Sequence, residues 1–535
     1  MLLSYPVPAR GQRLFTGPLP GSADALVIAE LARHGKPLAV VTANALDAQR
    51  LGAELRFLAP ALGVHLLPDW ETLPYDTFSP HQDLVSERLE TLYLLSRHEV
   101  DVLIVPVTTA LMRLAPRSYL SAYTFFFEKG HRLDAETFRT QLTMAGYSNV
   151  SQVVAPGEYS YRGGLIDLFP MGSAVPYRID LFDDEIDSIR TFDVDTQRSI
   201  YTVDTVRLLP AREFPLDEAG RTLFRRRFRE VFEGDPSKRR LYKDIGNGGT
   251  PPGIEYYLPL FFEDTATLTD YLPDDTVIAM QGDVPDAIAS FWRDTQSRHD
   301  LLRGDANQPI LPPGALYLKD EEFYTSLKPY ARVEVGRGEN AAAEAVRALP
   351  VLAVDRRAHD PLAAFRAYAQ VFPGRILLSA DGPGRRETML EFLGNHDFAP
   401  GSVNTLEEFL ASDARLALTV SPLADGFALP DAGIAFVTET ELYAQSSRAR
   451  SREREKRTSA ENVLRDLSEV KIGDPVVHEN HGIGRYLGLV TMDAGGDPAE
   501  FLLLEYDGGD KLYVPVSQLQ VISRYAGAAQ ESIQL

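Results

Sequence analysis

Cysteine is absent from all 535 residues. That excludes disulfides, thiolate metal sites and a cysteine nucleophile together, and it fits a reducing compartment. No apolar run reaches the length of a membrane span. The opening MLLSYPVPARGQRLFTG has no long apolar stretch and no small-residue cleavage site, so it does not read as a signal peptide. These absences lead to the expectation of a cytoplasmic protein. Positive charge is also scarce: 54 Lys and Arg stand against 76 Asp and Glu, a net charge of −22. Such a surface repels a phosphate backbone, so the main partners are expected to be proteins. Any DNA contact needs a local basic patch.

What is present is globular: 44% of residues are hydrophobic and 24% charged. At roughly 100–200 residues per domain, the length calls for three to five domains. Residues 24–33, 45–57 and 85–95 carry apolar positions at helical spacing, while 37–42 and 101–106 are short apolar runs fit for buried strands. Helices alternating with such strands predict a parallel α/β layer. From about residue 118 the pattern turns to alternation broken by Gly and Pro, at 158–162, 165–169, 177–182 and 186–192, which predicts a β-rich domain. Residues 211–330 return to α/β. Residues 331–440 predict a second, small α/β domain with strands at 351–355, 375–379 and 416–420 and helices at 361–371 and 384–393. Residues 446–458 hold six basic and two acidic residues with no apolar face, and read as a solvated linker or the single candidate for a DNA contact. Residues 501–506 and 511–516 flank Asp507-Gly508-Gly509-Asp510, a hairpin signal inside a small SH3-like barrel.

A parallel layer at the start of a chain invites a search for a phosphate loop. That loop needs two glycines with four residues between them, then Lys and Ser or Thr, so that backbone N–H groups wrap the phosphates, Lys neutralises them and the hydroxyl holds Mg²⁺. The chain has Gly17-Pro-Leu-Pro-Gly21-Ser22-Ala23-Asp24 instead. Its glycines are one residue too close, Ser22 stands where Lys should be, and Ala23 stands where the hydroxyl should be. Pro18 and Pro20 remove two donors, and Asp24 would repel a triphosphate. After the apolar run ending at Met280 comes Gln281-Gly282-Asp283, with no acidic pair to hold Mg²⁺. Asp320, Glu321 and Glu322 follow no buried strand. His478 and His481 lack further ligands nearby, and neither Ser22 nor Ser86 lies in a Gly-x-Ser-x-Gly elbow. The expectation is no catalytic residue, no metal site and no cofactor in this chain.

Several further stretches carry a resemblance. Residues 79–89, SPHQDLVSERL, are similar to the segment that follows the nucleotide fold in the excision-repair helicase UvrB. Residues 162–170, RGGLIDLFP, and 176–182, PYRIDLF, resemble the UvrB domain that docks on UvrA. Residues 253–257 and 271–275 extend the match. Residues 474–486, DPVVHENHGIGRY, and 511–517, KLYVPVS, resemble the CarD-related RNA-polymerase-interacting domain of the bacterial transcription-repair coupling factors. That family combines both parts.

The resemblance implies a multidomain α/β architecture. A degenerate P-loop-type (RecA-like) parallel sheet at 1–117 and 211–330 is interrupted by a UvrA-binding β-rich domain at 118–210. A small α/β domain follows at 331–444, a charged linker at 445–468, and an SH3/Tudor-like polymerase-binding barrel at 469–535. It implies an adaptor in transcription-coupled repair, with UvrA and the RNA polymerase β subunit as partners. The DNA-translocating motor, with its ATP and Mg²⁺, is expected in family sequence beyond residue 535. It places UvrA contacts on Arg162, Arg178 and Phe182. Even spacing puts Arg178 and Phe182 on one face of an extended run, although pattern alone also allows Phe182 in the core with both arginines merely solvated. Polymerase contacts fall on Ile483, Arg485, Tyr486, Leu487, Met492 and Leu503, any of which a barrel this small could instead hold inside. Two other readings stay open: an active UvrB-like helicase, which requires nucleotide binding, and a damage-binding protein, which requires a basic groove.

Overall fold

The first layer is a six-stranded, all-parallel sheet. In chain order it is built from β1 (Arg13–Phe15), α1 (Ala23–Ala32), β2 (Leu38–Thr42), α2 (Ala45–Leu58), β3 (Val64–Leu66), α3 (Gln82–Ser96) and β4 (Val102–Pro106), and is completed by strands Val277–Gln281 and Ala331–Val335. The spatial order is β1, 331–335, 277–281, β2, β4, β3. Every residue of β2 and β4 is buried, as expected for strands covered on both faces. This computed structural model describes residues 2–305, 308–338, 345–443, 473, 475–478, 482–493, 498–506, 511–515 and 522–524. Two compact units result, one of residues 1–76 and 80–442, the other of 443–535 with 77–79.

A β-rich insertion interrupts the layer. Strands Phe125–Glu128 and Thr205–Leu208 pair antiparallel from Phe125 opposite Leu208 to Glu128 opposite Thr205, tying both ends of the insertion together. Between them lies a six-stranded sheet in the order 199–203, 185–192, 177–182, 165–168, 158–162, 148–149. Ile166, Ile179 and Ile189 fill its inner face. Behind the insertion, Arg88 of α3 is fully buried and donates Nε to Glu213 at 2.6 Å, while Trp70 Nε1 donates to the same carboxylate at 3.1 Å. A buried pair is tolerated when it is hydrogen-bonded on all sides. Here Pro68 O also accepts from Arg88, at 2.6 Å.

The small α/β domain has a five-stranded sheet in the order 401–402, 416–420, 375–380, 434–438, 427–429, parallel except for the last pair. Two expectations fail here. Strand Ala331–Val335 belongs to the first sheet, between β1 and 277–281, so that layer runs past residue 330. Residues 351–355 form no strand: Val351 is 85% exposed, Val354 N makes a single hydrogen bond to Leu442 O, and the 427–429 edge of the small sheet is bridged by Arg347 instead.

All ten residues of α1 are buried. One apolar cluster joins α1 to the first sheet and to Leu377, Phe409, Phe427 and Phe436 of the small domain, which explains why this helix is buried on every side, with its two acidic residues, Asp24 and Glu30, paired to Arg50 and Arg33.

The second unit is a five-stranded antiparallel sheet in the order 511–515, 498–505, 482–493, 475–478, 522–524. Val476, Leu502, Leu504 and Val514 make its core. The charged linker expected at 445–468 and the hairpin turn at 507–510 lie outside the described residues.

Candidate functional site: a sealed loop and two outward faces

The loop between β1 and α1 is closed by residues 424–426, four hundred positions away. Ser22 N donates to Asp425 O at 3.1 Å, and Ser22 Oγ donates to Glu54 Oε1 at 2.7 Å. The amides of Ala424 and Asp425 reach Ser22 Oγ, both at 3.2 Å, and Ala424 N also reaches Glu54 Oε1 at 3.0 Å. Gly21 sits at φ +56°, and a Cβ there would lie 2.3 Å from Gly426 O. Gly17 is likewise left-handed, with its amide on Arg337 O at 2.9 Å, and Ala23 is fully buried.

Asp24 takes the place at the head of α1 where an anion would bind. Its Oδ1 accepts from Ala25 N at 2.8 Å. Arg50 grips it with two nitrogens, at 3.1 and 2.6 Å, and Gln281 Nε2 adds a contact at 3.1 Å. Arg50 also meets Glu54 at 2.8 Å and Asp47 at 3.2 Å. One guanidinium thus serves three carboxylates. Burial pushes the Glu54 carboxyl up to about 7, against the opposing pull of Arg50 and Ser22. Burial pulls the Arg50 guanidinium down, but the Asp24 hydrogen bond and the three carboxylate charges outweigh it, and the net shift is upward.

Arg162, Arg178 and Phe182 share the outer face of the inserted sheet. Register aligns Arg162 with Leu165 and Leu165 with Asp180, then Asp167 with Arg178 and Arg178 with Arg190. Directly opposed residues point to the same side of a sheet. The three side chains differ in what they touch. Phe182 is 80% exposed, so it is not core. Arg162 is exposed and donates to Ser151 O. Arg178 is half-buried and committed: its Nε and Nη2 hold Asp167 at 2.7 and 2.9 Å, its Nη1 reaches Gln197 O at 3.1 Å, and it stacks on the Phe192 ring at 4.8 Å. The Asp167 hydrogen bond, despite burial, holds this guanidinium more firmly protonated than usual. A neighbouring pair, Asp180 with Arg190 and Ser188, repeats the pattern. Motif reading missed Asp167. The signal was available, since it lies opposite Arg178 once the 165–168 and 177–182 strands are aligned.

In the second unit the six expected polymerase contacts separate. Tyr486 lies opposite Leu504 and packs against the core. Leu503 lies opposite Tyr513, on the other face, where Tyr513 is 42% exposed. Alternation puts Ile483 and Arg485 on that outer face too, opposite Val477 and Pro475. Leu487 sits at the irregularity between Tyr486 and Gly488. Met492 is paired with Ala499, but its side chain, like that of His478, lies outside the described residues, as does all of His481.

Among the described residues no group of three His, Cys, Asp or Glu could hold a metal ion, and no helix is long and apolar enough to cross a membrane.

Comparison with known proteins places three family descriptions on the chain: UvrB interaction domain at 125–214, MFD D3 domain at 368–442, and CarD-like/TRCF RID domain at 470–526. The chain is 42% identical over 540 residues to the transcription-repair-coupling factor of Escherichia coli, covering 99% of this chain and 47% of that protein. It is 41% identical to that of Haemophilus influenzae, again over 99% of this chain and 47% of the relative, and 28% identical to that of Bacillus subtilis, over 97% and 45%. The chain spans about half the length of the curated relatives it matches.

Proposed function

We propose that this chain, a relative of transcription-repair-coupling factors along nearly its whole length, is the adaptor part of such a factor: it docks on RNA polymerase and recruits UvrA. Phe182 carries the UvrA reading. A large ring, 80% exposed at the end of a well-paired strand, lies within the stretch described as the UvrB interaction domain. Exposed aromatic anchors beside arginines are what protein interfaces use as hot spots. Arg162 is the second contact. Arg178 acts as a positioning residue, holding the sheet face through Asp167.

The second unit is read as an SH3/Tudor-like barrel that meets the polymerase β subunit with the face bearing Ile483, Arg485, Leu503 and Tyr513. The first layer is read as a P-loop-type fold kept as a scaffold. Its loop does not fit a nucleoside triphosphate. Asp24 holds the helix N-terminus, Pro18 and Pro20 lack donors, and the 424–426 backbone fills the space. No step of ATP chemistry is assigned to these residues, and a cytoplasmic location fits the role.

Calorimetric titration of UvrA tests the main claim. Phe182→Ala is expected to weaken binding by about 2 kcal/mol or more with the fold unchanged. Unchanged affinity would reject the surface. A fluorescent ATP analogue is expected not to bind, and saturable binding would favour the helicase reading.

A further inference from the structure

The acidic balance of the chain is unevenly spread. Residues 221–243 hold nine basic and three acidic side chains, a local charge of +6 within a chain of −22. The 446–458 stretch is therefore not the sole candidate for a DNA contact. This second one lies on described structure: helix Glu218–Val231, the turn Pro236–Lys238 and helix Arg240–Gly246.

Aromatic packing decides which way the charges point. Phe224 and Phe228 are buried, with Phe224 at 4.9 Å from Phe261 and Phe228 at 5.4 Å from Tyr242. Leu241 and Ile245 bury the second helix. With those residues inward, Arg221, Arg225 and Arg229 run along one flank at four-residue spacing, a rise of about 6 Å per step. The second helix lies against this flank. A Cβ on Gly246 would sit 3.5 Å from Arg225 Cδ, and one on Gly248 would sit 3.3 Å from Arg221 Nη1. Lys238, Arg239 and Lys243 extend the positive surface.

Several of these charges are not neutralised. Arg226 and Arg227 are bound to Glu263, and Arg240 faces Asp244 at 3.4 Å. Among the described residues, no carboxylate lies within ion-pair distance of Arg225, Arg229, Lys238, Arg239 or Lys243. Five cations outside ion-pair distance, of which Lys238 and Lys243 still feel the Asp235 carboxylate, form a local field in an acidic chain that attracts a polyanion.

We propose that this face binds the phosphate backbone of duplex DNA. The evenly stepped guanidiniums suit a regular line of phosphates. Single strands are held largely by stacking on exposed rings, whereas Phe224 and Phe228 point inward and Phe232 and Tyr242 pack on Phe228. A protein partner would be expected to find a central aromatic anchor, and the face offers none that is fully exposed.

The test is fluorescence anisotropy of the full chain with a labelled duplex of about 30 base pairs, at about 50 and 200 mM salt. Arg225→Glu/Arg229→Glu/Lys243→Glu is expected to weaken binding at least about tenfold and to lower the salt slope by about three. The milder Arg229→Gln/Lys243→Gln, at exposed positions, should lower the slope by about two. The exposed pair Arg356→Glu/Arg357→Glu serves as the control and should change little. The proposal is overturned if the variants bind as the wild type does, which would leave any binding to 446–458. It is also overturned if the control loses as much, or if the wild-type chain ignores duplex DNA while binding polyglutamate, which would make the face a site for acidic protein.

Discussion

The loop at Gly17–Asp24 and the sheet face at 158–192 are both rich in groups that could hold a ligand, and they dispose of them oppositely. In the loop every polar group turns inward: Ser22 to Glu54 and 424–425, Asp24 to Arg50, Gln281 and its own helix. On the sheet the charges also pair with neighbours, Asp167 with Arg178 and Asp180 with Arg190, but Phe182 is left outside. Internal satisfaction makes the loop an intramolecular joint. On the sheet the same pairing makes a rigid platform, and the exposed Phe182 ring is the part free to bind. The contrast separates residues that build a site from those that touch a partner.

Gly21 is where substitution should cost most. Gly21→Ala adds a methyl at positive φ against Gly426 O, and it should cost about 3 kcal/mol or more in denaturant unfolding. A small loss would mean the joint between loop and small domain is loose. Next comes Arg178→Ala, which strands the buried Asp167 and should cost about 3 kcal/mol, a loss visible without any partner present. Phe182→Ala should stay within about 0.5 kcal/mol of wild type in the same assay, because its ring touches little. If the two swapped rank, platform and contact would be exchanged.

A smaller effect is pH-dependent. The Glu54 carboxyl is raised from 4.5 to about 7 in the folded chain. The folded state therefore binds more protons than the unfolded one between those values. The associated stability is full below about 4.5 and is lost as pH rises through about 7. Relative to Glu54→Gln, the wild type should lose about 3 kcal/mol as pH rises through that window. A flat difference would show that Arg50 keeps Glu54 ionised throughout.

Much of this was legible locally. The apolar runs behind β2 and β4, and the parity that puts Arg178 and Phe182 on one side, follow from side-chain periods of a few residues. What each polar group touches did not follow. Arg178 meets Asp167 through strand register, and Ser22 meets 424–425 through packing between domains. The strand at 331–335 could not be told from the small domain's strands by pattern, because its buried run suits either parallel sheet. Residues 351–355 have a strand's composition, but Arg347 and not this run bridges the 427–429 edge. The basic flank at 221–243 can be counted in the sequence, but a search for charge runs without an apolar face picks out only 446–458. It is the buried Phe224 and Phe228 that show which side of the helix the charges occupy.

The most direct measurement is amide hydrogen exchange of the whole chain with and without UvrA. The account predicts added protection across residues 158–182 and around Phe182, with none across 17–24 or 424–426. Protection confined to the loop, with the sheet unchanged, would contradict it.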